Sequence, residues 1–215
     1  MAAAAALARF AELKGELGAG TYGRCGRFFC SLDKQRLTRG ASVFVGKDRR
    51  TQQGVAIKVI PMQEDMSSLR REVDILKDCK NDFVVQYLGS FNKDSTLWIV
   101  MELCEPGSVA DAMRMLKTTL TAEQIRIVCA SVLVSLTYLH SRKLIHRDVK
   151  AGNLLLTRQG QVKIADFGVS AQLNTLQSKR DTSIGAPLWM APEVIQGESY
   201  DNKAERVFLA TLHGN

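Results

Sequence analysis

His146-Arg-Asp148-Val-Lys150-Ala-Gly-Asn153 is the stretch on which the reading of this chain turns. Its eight residues are dense in groups able to move a proton, neutralise a phosphate and bind a metal. Asp166-Phe-Gly168 follows the next apolar strand. Each tripeptide is common by chance. Together, in this order, with Asp148 and Asn153 five apart, they form a specific signature. His146 itself reads as a core histidine that holds the loop rather than as a catalyst.

The flanks supply the scaffold. Before the stretch, Thr121 to Ser141 predicts a long helix: Thr121 with Gln124 makes a capping box, and Ile125, Val128, Val132, Leu136 and Leu139 repeat at helical spacing. After it, Leu154–Leu156 and Val162–Ile164 predict two short strands around a turn at Gln159-Gly160. Nearer the N-terminus, Val55-Ala-Ile-Lys-Val-Ile60 stops at Pro61, and Thr96–Met101 is a second strand. Between them Ser67–Cys79 has helical spacing, with Leu69, Val73 and Leu76 on one face. Strands first and helices later predict an α+β fold of two unequal lobes.

Composition narrows the function classes. The 215 residues are 46% apolar and 24% charged, an ordinary globular balance. No stretch approaches the ~18 apolar residues a membrane span needs. The five cysteines are an odd number without a C-x-x-C pair and read as reduced thiols of a cytoplasmic protein. A net charge of +7 would suit a nucleic-acid module, but Arg24–Ala41 carries +4 of it and no binding motif is readable, so no nucleic-acid partner is expected.

Two further features could hold a ligand. Gly18-Ala-Gly20-Thr-Tyr-Gly23 is a G-x-G-x-x-G, which brings backbone N–H groups close to a phosphate or is simply a glycine-rich turn. Lys58 lies inside an apolar strand where Ala56 shares its face and Ile57 and Val59 take the other, leaving room for a flat ligand. Glu72 sits on the apolar side of its helix and is the obvious partner for Lys58, although a solvated salt bridge remains the alternative.

Taken in order, the glycine loop, Val55-Ala-Ile-Lys58, Glu72, the stretch 146–153, Asp166-Phe-Gly168 and Ala191-Pro-Glu193 resemble a eukaryotic protein kinase. Leu97-Trp-Ile-Val-Met-Glu-Leu-Cys104, Gly107-Ser-Val109 and Trp189–Gln196 resemble the sterile-twenty family on its Hippo-like branch. The resemblance implies a bilobal fold, a small β-rich N-lobe and an incomplete helical C-lobe, and phosphoryl transfer from Mg-ATP to protein serine or threonine. In that family Lys58, held by Glu72, would steady the α- and β-phosphates. Asp166 and Asn153 would hold magnesium, Asp148 would accept the substrate proton and Lys150 would neutralise the γ-phosphate. Gly18, Gly20 and Gly23 would line the phosphate side, and Leu17 would also contact the nucleotide. Val43, Ala56, Leu155 and Met101 would enclose adenine, with backbone groups of Glu102 and Cys104 at its edge. Thr182 matches the activation-loop site, open to an upstream kinase or to autophosphorylation.

The resemblance covers Phe10 to Ala204, between an alanine-rich tail, 1–9, and an unrelated tail, 205–215. Arg24–Ala41 interrupts the glycine hairpin, Ala186 replaces the family's threonine, and the helix expected after Ala204 is replaced by Glu205–Asn215. These departures keep a second reading open, an inactive fragment or binding module. They also predict that the apolar stripe of helix 121–141 loses part of its burial.

Overall fold

A computed structural model describes residues 16–17, 42–48, 50–62, 67–93, 95–167, 171–172 and 190–206. Its first part is an antiparallel five-stranded sheet in the order β1-β2-β3-β5-β4. The strands are β1 (Glu16–Leu17), β2 (Ser42–Lys47), β3 (Gly54–Pro61), β4 (Tyr87–Lys93) and β5 (Thr96–Glu102). β-Branched residues fill β3, and register follows from its alternation, since a one-residue slip would turn each buried side chain outward. Ala56 lies opposite Val45 and Met101, and Lys58 opposite Val43 and Ile99. These residues therefore share one face, as expected from the sequence.

The other face carries its own small apolar cluster, Val55, Ile57, Phe91 and Val100, against which Phe44, Val59, Leu88 and Trp98 pack. Gly46 makes room there: a Cβ at this position would stand 2.8 Å from Ile57 Cδ1. Helix α1 (Ser67–Asp78) covers the inner face, where Val73 and Leu76 join Ile60, Leu97 and Ile99 in the main core.

The second part is mainly helical. Helix α2 (Val109–Leu116) follows β6 (Gly107–Ser108) and is capped by the reciprocal Ser108–Asp111 pair. Helix α3 (Ala122–Ser141) starts at the capping box expected from the sequence. Gln124 N donates to Thr121 Oγ1 at 3.3 Å, and Thr121 N donates to Gln124 Oε1 at 2.9 Å. Strands β7 (Leu144–Ile145), β8 (Leu154–Leu156), β9 (Val162–Ile164) and β10 (Ala171–Gln172) and helix α4 (Pro192–Ile195) complete it. β8 and β9 pair as the expected hairpin, with Gly160 at φ 80° in its turn. Val85 N donates to Ile164 O at 3.0 Å and Ile164 N to Phe83 O at 2.9 Å, which ties the sheet lobe to this hairpin.

Of the α3 stripe, Val128, Val132, Leu136 and Leu139 are buried in the main core and Ile125 is half-buried, so incomplete burial of the stripe is confined to the start of the helix. The large exposed apolar residues of α3 are Ile127, Leu133 and Val134, outside that stripe. α3 holds no run of 18 apolar residues, yet by length and mean composition it is apolar enough to cross a membrane. Core helices pass the same test, and this one puts its stripe into the domain interior. The two-lobed α+β architecture is as the sequence indicated.

Candidate active site

The loop 146–153 leaves β7, closes with a single 3-10 turn (Ala151–Asn153) and enters β8. Its side chains are tied to one another. Lys150 Nζ stands 3.1 Å from Asp148 Oδ1. Asn153 Nδ2 donates to Asp148 Oδ2 at 2.8 Å and to the Asp148 carbonyl at 2.6 Å. Ala165 N donates to the Asn153 carbonyl at 2.8 Å, joining this loop to the segment that carries Asp166. Lys58 Nζ, reaching from β3, stands 3.2 Å from Asp166 Oδ1. Residues from the sheet, the loop and the end of β9 thus form one polar constellation.

Two of its backbone positions are held in the left-handed region, Arg147 at φ 67° and Asp166 at φ 68°. Non-glycine residues there cost roughly 1–3 kcal/mol each and persist where surrounding contacts dictate them. His146 supplies some of those contacts. It is fully buried, with Phe167 edge-on to its ring at a centroid distance of 5.0 Å. Nε2 lies 3.0 Å from the Ala165 carbonyl, which can only accept, while Nδ1 accepts from Asp148 N at 3.3 Å. This places the proton on Nε2 of a neutral ring. Burial pushes its pKa below the ordinary value, against the opposing pull of Glu205, Asp148 and Asp166 and of the Ala165 carbonyl. His146 is therefore a core histidine that orients the loop.

Glu205 is a part of this arrangement that sequence reasoning missed. The turn Asn202–Arg206 carries the chain across the boundary expected at Ala204 and buries the Glu205 side chain. Its Oε1 accepts from Arg147 N at 2.5 Å, and its Oε2 lies 2.7 Å from His140 Nε2 in the last turn of α3. One carboxylate therefore joins α3 to the loop at its left-handed residue. No local signal marks it: a glutamate between Ala204 and Arg206 reads as solvent-facing.

On the side expected for adenine, Val43, Ala56 and Met101 share the sheet face of Lys58. Leu155 stands on β8, half-buried, opposite Lys163 and Ser108. Cys104 is buried just beyond β5. Glu102 N donates to the Gln86 carbonyl at 3.0 Å, and the Glu102 carboxylate accepts from Gln86 N and from Lys163. Leu17 pairs with Val43 through its strand, but its side chain lies outside the described residues. The Glu72 side chain, Gly18, Gly20, Gly23, Arg24–Ala41, Thr182 and Ala186 lie outside them too, and with them the Lys58–Glu72 pairing.

The donor set can be tested for a metal. Among the described residues Asn153 Oδ1 is buried without a hydrogen-bond partner, while its Nδ2 is doubly bonded. A buried acceptor left open in this way is costly unless a ligand fills it. Carboxylate and carboxamide oxygens are hard donors, and magnesium characteristically takes few of them while keeping several waters. Asn153 and Asp166 fit that cation.

Comparison with known proteins agrees with this geometry. The protein kinase domain family matches residues 32–206. Serine/threonine-protein kinase 4 homolog B of Dictyostelium discoideum is 48% identical over 171 residues, 79% of this chain and 16% of its own length. Homolog A from the same organism is 45% identical over 179 residues, 83% of this chain and 39% of its own. Serine/threonine-protein kinase cst-1 of Caenorhabditis elegans is 42% identical over 194 residues, 90% of this chain and 35% of its own. The chain spans well under half the length of these relatives. With the family match over most of its length, the chain belongs to the eukaryotic serine/threonine protein kinases and is related to their sterile-twenty-like branch.

Proposed function

We propose that this domain transfers the γ-phosphoryl group of ATP to serine or threonine hydroxyls of a protein substrate, with magnesium as cofactor. The carrying observation is the constellation itself: Lys58 against Asp166 at 3.2 Å, Lys150 against Asp148 at 3.1 Å, and Asn153 with its Oδ1 open. In this reading Asp148 orients the acceptor hydroxyl and takes its proton, and Lys150 lies beside it as the cation for the moving phosphoryl group. Lys58, partnered by Glu72, holds the α- and β-phosphates, and Gly18, Gly20 and Gly23 offer them backbone donors. Asn153 and Asp166 would hold magnesium, which when bound neutralises the phosphate oxygens. Leu17, Val43, Ala56, Met101 and Leu155 enclose adenine, and the backbone of Glu102 and Cys104 meets its edge. Since the reaction asks mainly for position and charge, these residues act as a unit.

Regulation through Thr182 belongs to the same proposal, by an upstream kinase or by the domain itself. A phosphate there adds nearly two negative charges, for which Arg147 is a candidate partner. A cytoplasmic location is proposed with it, supported by Cys79, Cys104 and Cys129, none of which forms a disulfide among the described residues.

The test is transfer of labelled phosphate from ATP to a serine/threonine peptide, beside calorimetric binding of Mg-ADP. Asp148→Asn is expected to lower transfer by about 10²–10⁴-fold, the contribution of a positioned base, with ADP affinity within about twofold of the parent. Equal transfer by parent and variant would remove Asp148 from the mechanism. A parent that binds nucleotide and transfers nothing would favour the binding-module reading.

A further inference from the structure

The end of β5 and the segment that follows it carry two carboxylates, Glu102 and Glu105, and both are bound by the same hairpin. Lys163 Nζ, on β9, donates to Glu102 Oε1 at 2.8 Å and Oε2 at 3.0 Å. Arg158, in the β8–β9 turn, donates through Nε to Glu105 Oε2. The two pairs differ in setting. Arg158 is 72% exposed, so its pair is screened by salt and weak. Lys163 and Glu102 are 11% and 24% exposed, and Glu102 Oε1 also accepts from Gln86 N at 2.6 Å. Three pieces of chain therefore meet at one shielded carboxylate: the stretch before β4, the end of β5, and β9.

The position of Lys163 matters for what lies next to it. Lys163 is the direct register partner of Leu155 on β8, so the two share a face of the hairpin. Leu155 is the residue assigned to one side of adenine, and residues 102–104 supply the backbone assigned to its edge. The ammonium thus links the two walls between which adenine would lie.

We infer that Lys163 is a positioning residue: acting through Glu102, it fixes the connecting backbone 102–105 against the β8–β9 hairpin and so sets the geometry of the adenine site without touching nucleotide. Its nucleotide consequence rests on the kinase reading above; its structural consequence does not. Loss of the ammonium leaves Glu102 partly buried with its strongest donor removed, and the connecting backbone gains freedom locally.

The experiment uses the full chain, with Lys163→Gln and Lys163→Arg, and two readouts. Amide hydrogen exchange is followed by mass spectrometry without nucleotide, and Mg-ADP affinity by calorimetry. In Lys163→Gln the amides of residues 102–105 are expected to exchange about tenfold faster, the factor that goes with one lost charge-assisted hydrogen bond, while those of α3 stay unchanged. ADP is expected to bind about five- to tenfold more weakly, part of that same loss. Lys163→Arg, which keeps a donor pair for the carboxylate, should restore both. The inference is overturned if exchange at 102–105 is unaltered in Lys163→Gln, if it rises equally throughout the molecule, or if Lys163→Arg behaves as Lys163→Gln does. A parent that binds no ADP sinks the kinase reading instead, and the exchange comparison still decides the role of Lys163.

Discussion

Replacing Glu205 by alanine tests whether the loop 146–153 is held from α3. In the parent, Glu205 Oε1 accepts from Arg147 N at 2.5 Å and Oε2 lies 2.7 Å from His140 Nε2. The side chain is almost wholly buried, so water cannot simply take over both contacts. Depriving the Arg147 amide of this acceptor costs about 1–3 kcal/mol. Loss of the buried methylene adds about 0.8 kcal/mol. Relaxation of Arg147 from φ 67° gives back roughly 1 kcal/mol. The expected net loss is about 2 kcal/mol, read as a lowered urea midpoint with an unchanged slope. Glu205→Gln keeps an oxygen for Arg147 N and a hydrogen-bonding group for His140, forfeiting only the charge assistance, about 1 kcal/mol or less. An Ala variant within about 0.5 kcal/mol of the parent would refute this reasoning. So would a Gln variant as damaged as the Ala variant.

Leu139→Ala, at a fully buried core position, is expected to cost about 2–5 kcal/mol, whereas Leu133→Ala, at an exposed position on the same helix, should stay within about 0.5 kcal/mol; denaturant melts of the pair check this. His146 should make stability pH-dependent. Its pKa in the folded chain is lowered by burial, so as pH falls below about 6.5 the unfolded chain takes up a proton that the folded chain refuses. Stability is then lost with falling pH at up to about 1.4 kcal/mol per unit and is level in this respect above that window. Urea midpoints from pH 8 to 5.5 should show the decline in the parent and a shallower one in His146→Gln; equal slopes would rule His146 out as its source.

What the sequence made legible were features whose causes are local. Helix α3 announced its start through Thr121 and Gln124 and its buried side through a stripe that needs no knowledge of its neighbours. The β8–β9 hairpin was readable from the apolar triplet 154–156, the alternating Val162-Lys-Ile164 and a glycine that turns out to need φ 80°. The face of Lys58 followed from strand alternation alone. Partnerships across the fold were harder. The sequence paired Lys58 with Glu72, a pairing that lies outside the described residues, and did not foresee the contact of Lys58 with Asp166, 108 residues away. Glu205 and His140 are 65 residues apart, and Lys163 and Glu102 are 61 apart. Each of these charged residues sits in a local context that suits solvent equally well. Their burial is decided by which elements pack together, and no short-range pattern records that.

The left-handed backbone at Arg147 and Asp166 has a consequence for anyone evolving this protein. Glycine adopts that conformation without steric penalty, so substitution at either position relieves strain wherever it is tolerated. A library ranked on heat resistance alone would be drawn toward glycine at both. Each such winner would discard a side chain from the loop region, and at 166 it would strip Lys58 of a carboxylate 3.2 Å away. Robustness and chemistry thus compete at these two backbone positions, and a screen must score both traits to keep the site intact.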